Sequence, residues 1–93
     1  MPRIKYQQHH SLAPDEARRR LQELMERFGQ KYGFRTSWVG DSSVDVKGRG
    51  VSGSMTVRER EVLVDLNLSL LLAPFRSKIQ DGIARQIEQA LQP

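Results

Sequence analysis

No cysteine occurs among the 93 residues. That absence removes disulfide frameworks, thiolate metal sites and cysteine nucleophiles, and it fits a reducing, cytoplasmic compartment. Aromatic residues make up 6% of the chain, with one tryptophan, and they fall at predicted core positions rather than on a base-stacking platform. No apolar run approaches the ~20 residues that a helix needs to cross a bilayer. The longest apolar cluster, Leu66 to Phe75, is broken by Asn67 and Ser69. The opening stretch Met1-Pro2-Arg3-Ile4-Lys5-Tyr6 lacks the apolar core of a secretion signal. Histidine is confined to the adjacent pair His9-His10. Neighbours on an extended chain point to opposite sides, so this pair makes a poor metal site, and no cofactor is expected.

What remains is a mixture of 38% hydrophobic and 28% charged residues. That balance is typical of a folded domain, and the length suits one domain over residues 1–93 with one modest core. The net charge is +4 and the isoelectric point about 10.0, which keeps anionic partners open.

Hydrophobic periodicity sets the expected elements. Ile4 and Tyr6 alternate with Arg3, Lys5 and Gln7, the period of a half-buried strand. Pro14 followed by Asp15 and Glu16 marks a helix start. Ala17, Leu21, Leu24, Met25, Phe28 and Tyr32 then form a stripe at helical spacing, and Gly33 supplies a left-handed stop. Between Phe34 and Leu68 four short alternating segments are separated by turn signals at Gly40-Asp41-Ser42, Gly48-Arg49-Gly50 and Arg58-Glu59-Arg60-Glu61. Trp38 is expected to anchor the core, and Gly50 and Gly53 to serve a turn, a bulge or the close approach of a helix. A second helix is expected from near Pro74 to about Leu91, with Phe75, Ile79, Ile83, Ile87 and Leu91 repeating every four residues. The predicted fold is α+β in two layers: an antiparallel sheet of about five strands with two helices on one face, in the order β-α-β-β-β-β-α. Pairing the first strand antiparallel with the last places it at a sheet edge.

Several fragments then read together: His10-Ser11-Leu12, Glu16-Ala17-Arg18, Lys31-Tyr32-Gly33, Trp38-Val39-Gly40-Asp41, Gly50-Val51-Ser52-Gly53, and Leu70-Leu71-Leu72-Ala73-Pro74-Phe75 followed by Lys78-Ile79. In this order and spacing the chain resembles the polyhydroxyalkanoic acid system protein family, small bacterial proteins linked to carbon-storage polyester granules. Each fragment alone is weak, but six in register over nearly the whole chain are specific. Ala13 departs from the polar helix cap expected at that position. The resemblance implies an accessory role around granules and carries over no catalytic residues.

The residues themselves point to a contact surface rather than an active site. Leu63 falls on the polar side of its strand, and Leu70, Leu71, Leu72 and Phe75 exceed what one small core can bury. Arg76 and Lys78 follow directly and would suit an anionic boundary. Such a patch fits a granule surface or a granule-associated protein, and it also fits a homodimer. A competing reading takes Arg18, Arg19, Arg20, Arg27 and Lys31 as a basic face for nucleic acid or a regulatory partner. It is less favoured, because Glu16, Glu23 and Glu26 intervene. A third reading is a small-ligand carrier or enzyme with a pocket between helices and sheet. No Gly-x-Ser-x-Gly elbow occurs, and Asp45 and Asp65 share a solvated face that offers nothing to tune a carboxylate. An enzyme is not expected.

Overall fold

The computed structural model describes residues 2–93. Strand β1 (Arg3–His9) leads to helix α1 (Pro14–Tyr32). Four strands follow: β2 (Arg35–Val39), β3 (Ser43–Gly48), β4 (Val51–Val57) and β5 (Glu61–Leu68). A 3-10 turn (Leu70–Phe75) then joins β5 to helix α2 (Arg76–Ala90). The five strands form one antiparallel sheet in the order β1-β5-β4-β3-β2. The α+β architecture and element order are those the periodicity predicts. The first strand lies at the edge beside the last, with Ile4 opposite Leu66 and Tyr6 opposite Val64. The Leu68 amide donates to the Pro2 carbonyl at 2.8 Å, and the His10 amide to the Arg60 carbonyl at 2.9 Å, so both ends of that pairing are tied.

Alternation gives the sheet two unlike faces. Val62, Val64, Leu66 and Leu68 of β5 are all buried beneath the helices, together with Val44, Val46, Met55, Val57 and Ile4. The opposite face is polar and uncovered. There Arg3 forms a bidentate pair with Asp65, at 2.7 and 2.5 Å, which holds the Asp65 carboxyl below its ordinary range. Gly53 belongs to neither a bulge nor a helix contact. Its pairing with Leu66 is continuous, and a Cβ there would sit 2.1 Å from the Asp65 carbonyl oxygen. The close neighbour is therefore the adjacent strand's own backbone.

Helix α1 begins at Pro14 with no side-chain cap from Ala13. It ends at Gly33, whose φ of 75° lets its amide reach the Gly29 carbonyl at 2.9 Å. Gly29 itself admits the Phe34 carbonyl, which would lie 2.8 Å from any Cβ placed there. On the outer face Arg19 bonds Glu16 and Glu23, and Arg20 bonds Glu16. Arg20 also donates to the carbonyls of Ala90 and Gln92. The start of α1 is thus clamped to the end of α2.

Helix α2 begins two residues later than expected. Residues 70–75 wind as a 3-10 turn, with the Leu72 amide on the Ser69 carbonyl at 3.0 Å, before α-helical geometry starts at Arg76. The four-residue repeat of this helix does not bury evenly. At 3.6 residues per turn each step of four advances the stripe by about 40°. Leu91 and Ile87 are buried, Ile83 and Ile79 are half-buried, and Phe75 is exposed. In α1 the same gradient runs from buried Ala17, Leu21 and Leu24, through half-buried Met25 and Phe28, to exposed Tyr32.

Trp38 is only half-buried, because β2 is an edge strand and α1 alone reaches over it. The Arg18 guanidinium covers the ring, with Cζ 4.7 Å from its centroid. Truncating Trp38 to alanine should therefore cost about 2–3 kcal/mol in urea denaturation, short of the about 3–5 kcal/mol of a fully enclosed tryptophan. A cost below about 1 kcal/mol would mean that the ring contributes little to the core.

The Arg19 and Arg20 guanidinium groups hold the Glu16 carboxyl at about 2, down from an ordinary 4.5. A depressed carboxylate contributes stability that is complete above its unfolded pKa and is lost as pH falls toward the folded value. Glu16→Gln should lower Tm at neutral pH, and its difference from the wild type should close as the pH drops from about 4.5 to about 2. A difference independent of pH would assign the effect to shape rather than charge.

Candidate functional site

Two features share one end of the molecule. The first is the 3-10 turn itself, in which no residue is buried. Leu71 is 86% exposed, Leu70 76% and Phe75 54%. Leu72 turns inward and is half-buried; a Cβ on Gly50 would meet its Cδ1 at 3.1 Å. The Ser69 amide donates to the Gly50 carbonyl at 2.8 Å, so the turn is fastened to the β3–β4 hairpin. Pro74, which has no amide hydrogen, sits inside the turn. A short anchored segment with outward leucines follows from this combination.

The second feature is a cleft between the helices. They are clamped where Arg20 meets the end of α2, and the cleft lies toward the other end, with α1 packed on β2 and β4 and α2 on β1. The gap has a volume of about 730 Å³. Its floor is formed by side chains of β3, β4 and β5, including Val46, Met55, Val64 and Leu66. Its walls include Phe28 and Tyr32 of α1 and Ile79 and Ile83 of α2. Lys31, Arg49 and Lys78 also line it, with no aspartate or glutamate. Leu72, Phe75 and Lys78 belong to the turn and helix start as well as to the cleft, so the two features are continuous.

The residues singled out from sequence divide accordingly. Leu70, Leu71, Leu72, Phe75 and Lys78 come together at this end. Leu63 does not join them: it lies half-buried on the opposite sheet face, between Gln7 and Thr56. Alternation along β5 puts it on the far side from its buried neighbours Val62 and Val64. Arg76 is held back, since its Nε donates to the Arg3 carbonyl at 2.8 Å. In the basic helix, Arg18 covers Trp38 and Arg19 and Arg20 bind acids and backbone. Arg27 and Lys31 make no ion pair among the described residues.

His10 works within the backbone. The Leu12 amide donates to its Nδ1 at 3.2 Å, which leaves Nε2 to donate to the Arg58 carbonyl at 3.1 Å. It thereby joins the helix start to the β4–β5 turn. His9 lies opposite Glu61 on β1. No three His, Asp or Glu side chains gather as a metal site among the described residues. Asp45 and Asp65 do share a face, one on each side of Ser54. Sequence reasoning missed Arg49 and the cleft role of Lys31. The only signal was the strict four-residue repeat of α2, whose drift leaves one helix end unburied.

No helix among the described residues is long and apolar enough to cross a membrane. A search of the curated proteins found no match. Among solved structures, the chain resembles the NMR structure of PA4090 from Pseudomonas aeruginosa, with 15% identity and a TM-score of 0.64. The match covers 100% of this chain and 88% of that one. At such low identity the likeness is one of fold alone. A family model described as "Putative polyhydroxyalkanoic acid system protein (PHA_gran_rgn)" matches residues 4–91. With all but the first three and last two residues matched, the chain belongs to the polyhydroxyalkanoic acid system protein family.

Proposed function

We propose that this protein is a non-catalytic accessory protein of the polyhydroxyalkanoate system, acting in the cytoplasm by docking on the polyester granule surface or on a protein there. The observation that carries the reading is the exposure of Leu70, Leu71 and Phe75 in a six-residue segment without a charge. A granule presents an apolar surface, and a fully transferred leucine is worth roughly 1.5–3 kcal/mol. Two leucines and part of a phenylalanine, less the cost of association, give weak and reversible attachment. Lys78, exposed beside the patch, suits an anionic boundary. Family membership supplies the polyester context. A non-catalytic role is favoured because both His10 nitrogens serve backbone groups and Asp65 is bound by Arg3, which leaves no nucleophile–base pair around them.

Co-sedimentation with isolated polyhydroxyalkanoate granules tests the proposal. Leu71→Asp should release the protein into the supernatant while Tm stays within a few degrees of the wild type. Arg27→Glu, on an exposed and unpaired arginine, is the matching charge control and should stay bound. Release by Arg27→Glu with retention of Leu71→Asp would replace granule docking with an electrostatic partner.

Away from granules the same patch lacks a cover, and we expect it to pair with its own copy about a two-fold axis. Light scattering at tens of micromolar should give a dimer for the wild type and a monomer for Leu71→Asp. A monomeric wild type would remove self-association from the proposal and leave docking to the granule experiment.

A further inference from the structure

We propose that the cleft between α1 and α2 is a binding site for the anion of a single-chain fatty acid, with the chain laid inward and the carboxylate at the Lys31, Arg49 and Lys78 side chains. This goes beyond granule docking and does not depend on it, since it concerns a monomeric ligand in solution.

Three observations converge on that ligand. The first is size and lining: about 730 Å³ falls within the roughly 300–1,000 Å³ of small-molecule sites. The walls are aliphatic and aromatic, so water inside would find few hydrogen-bond partners. The second is charge. Lys31, Arg49 and Lys78 are exposed members of the lining, one each from α1, the β3–β4 turn and α2. No carboxylate lines the cleft, and none of the three cations makes an ion pair among the described residues. Lys31 Nζ does lie 5.4 Å from the Tyr32 ring centroid, but an apolar chamber whose three cations have no anionic partner is complementary to a ligand with an apolar body and one anionic end. The third is shape. The lining runs from the exposed Lys31, Tyr32 and Lys78 to the buried Leu24 and Ile87, so an apolar chain can reach inward from the cationic side chains. Gly82 is part of the α2 lining, and a Cβ there would meet nothing within 4 Å, so a larger side chain can be placed there without a clash.

Displacement of a dansyl-labelled fatty acid by laurate, with lauryl alcohol as the uncharged twin, tests the assignment. Laurate should bind saturably at one site per chain, and the alcohol about tenfold more weakly, the loss expected when a charge-assisted contact is removed. Lys31→Glu combined with Arg49→Glu should weaken laurate by about tenfold or more and leave the alcohol unchanged. Gly82→Leu should abolish binding of both. It adds bulk to the lining at an exposed helical position where leucine is the better helix former, so Tm should hold or rise and loss of binding is not loss of fold. Leu71 lies outside the cleft, so Leu71→Asp should bind laurate like the wild type even when it leaves granules. The two proposals therefore fail separately. No saturable laurate binding by the wild type, undiminished binding by Gly82→Leu, or equal affinity for acid and alcohol would each overturn the assignment. So would a wild-type dimer that Gly82→Leu converts to a monomer, because the cleft would then belong to a second copy.

Discussion

Five strands present one apolar face, and two helices are all the chain has to cover it. At about 4.8 Å per strand the sheet is roughly 24 Å wide, and two helices of about 10–12 Å diameter side by side span about 20–24 Å, so the cover has nothing to spare. That cover is not spread evenly. Arg20 bridges Glu16 to the carbonyls at the end of α2, and beneath that clamp Ala17, Leu21, Ile87 and Leu91 are buried. At the opposite end no side-chain hydrogen bond joins the two helices among the described residues, and the four-residue stripe of α2 has rotated outward. The cleft, the exposed Tyr32 and Phe75, and the outward leucines of the 3-10 turn are consequences of that one imbalance.

The charged residues follow a related division. Those that look most available in sequence are engaged in the fold. Arg18 shields Trp38 at the sheet edge, Arg19 and Arg20 secure the first turns of α1, Arg3 bridges to Asp65, and Arg76 fixes the start of α2 to β1. Exposed ion pairs of this kind contribute little individually. Their greater effect is positional, since Arg20 and Arg76 each hold one end of α2. The cations at the open end, Lys31, Arg49 and Lys78, make no ion pair among the described residues and lie beside apolar surface, with Lys31 Nζ 5.4 Å from the Tyr32 ring centroid. That end of the molecule therefore sets basic charge next to uncovered leucine and phenylalanine.

Much of the fold was legible because its signals are local. Period two in Arg3–His9 and Glu61–Leu68, helical spacing from Ala17 to Phe28, and glycines at 33, 40 and 50 each act over a few residues and determine an element wherever it is placed. The edge position of β1 was available in sequence only as a pairing that the helical crossover permits, since the meander leaves both β2 and β5 open, and the folded sheet selects β5. The family, too, was readable, from fragments kept in register along the chain. The outward direction of Leu63 came from simple alternation, but the same rule separates it from Leu70 and Leu71, and only the folded sheet makes that separation plain.

What only the tertiary structure decided depends on quantities that accumulate over distance. A step of four residues misses a full turn by about 40°, which is invisible in any one step and decides after three which end of α2 faces the sheet. Trp38 reads as core from its alternation, yet its burial depends on β2 being an edge strand with one helix nearby. Lys31, Arg49 and Lys78 are far apart in sequence, on two helices and a hairpin, and no local pattern relates them. The sequence by itself determined the elements, their order and the family. The cleft and its rim of cations exist only because those elements, once packed, do not fill the space between them.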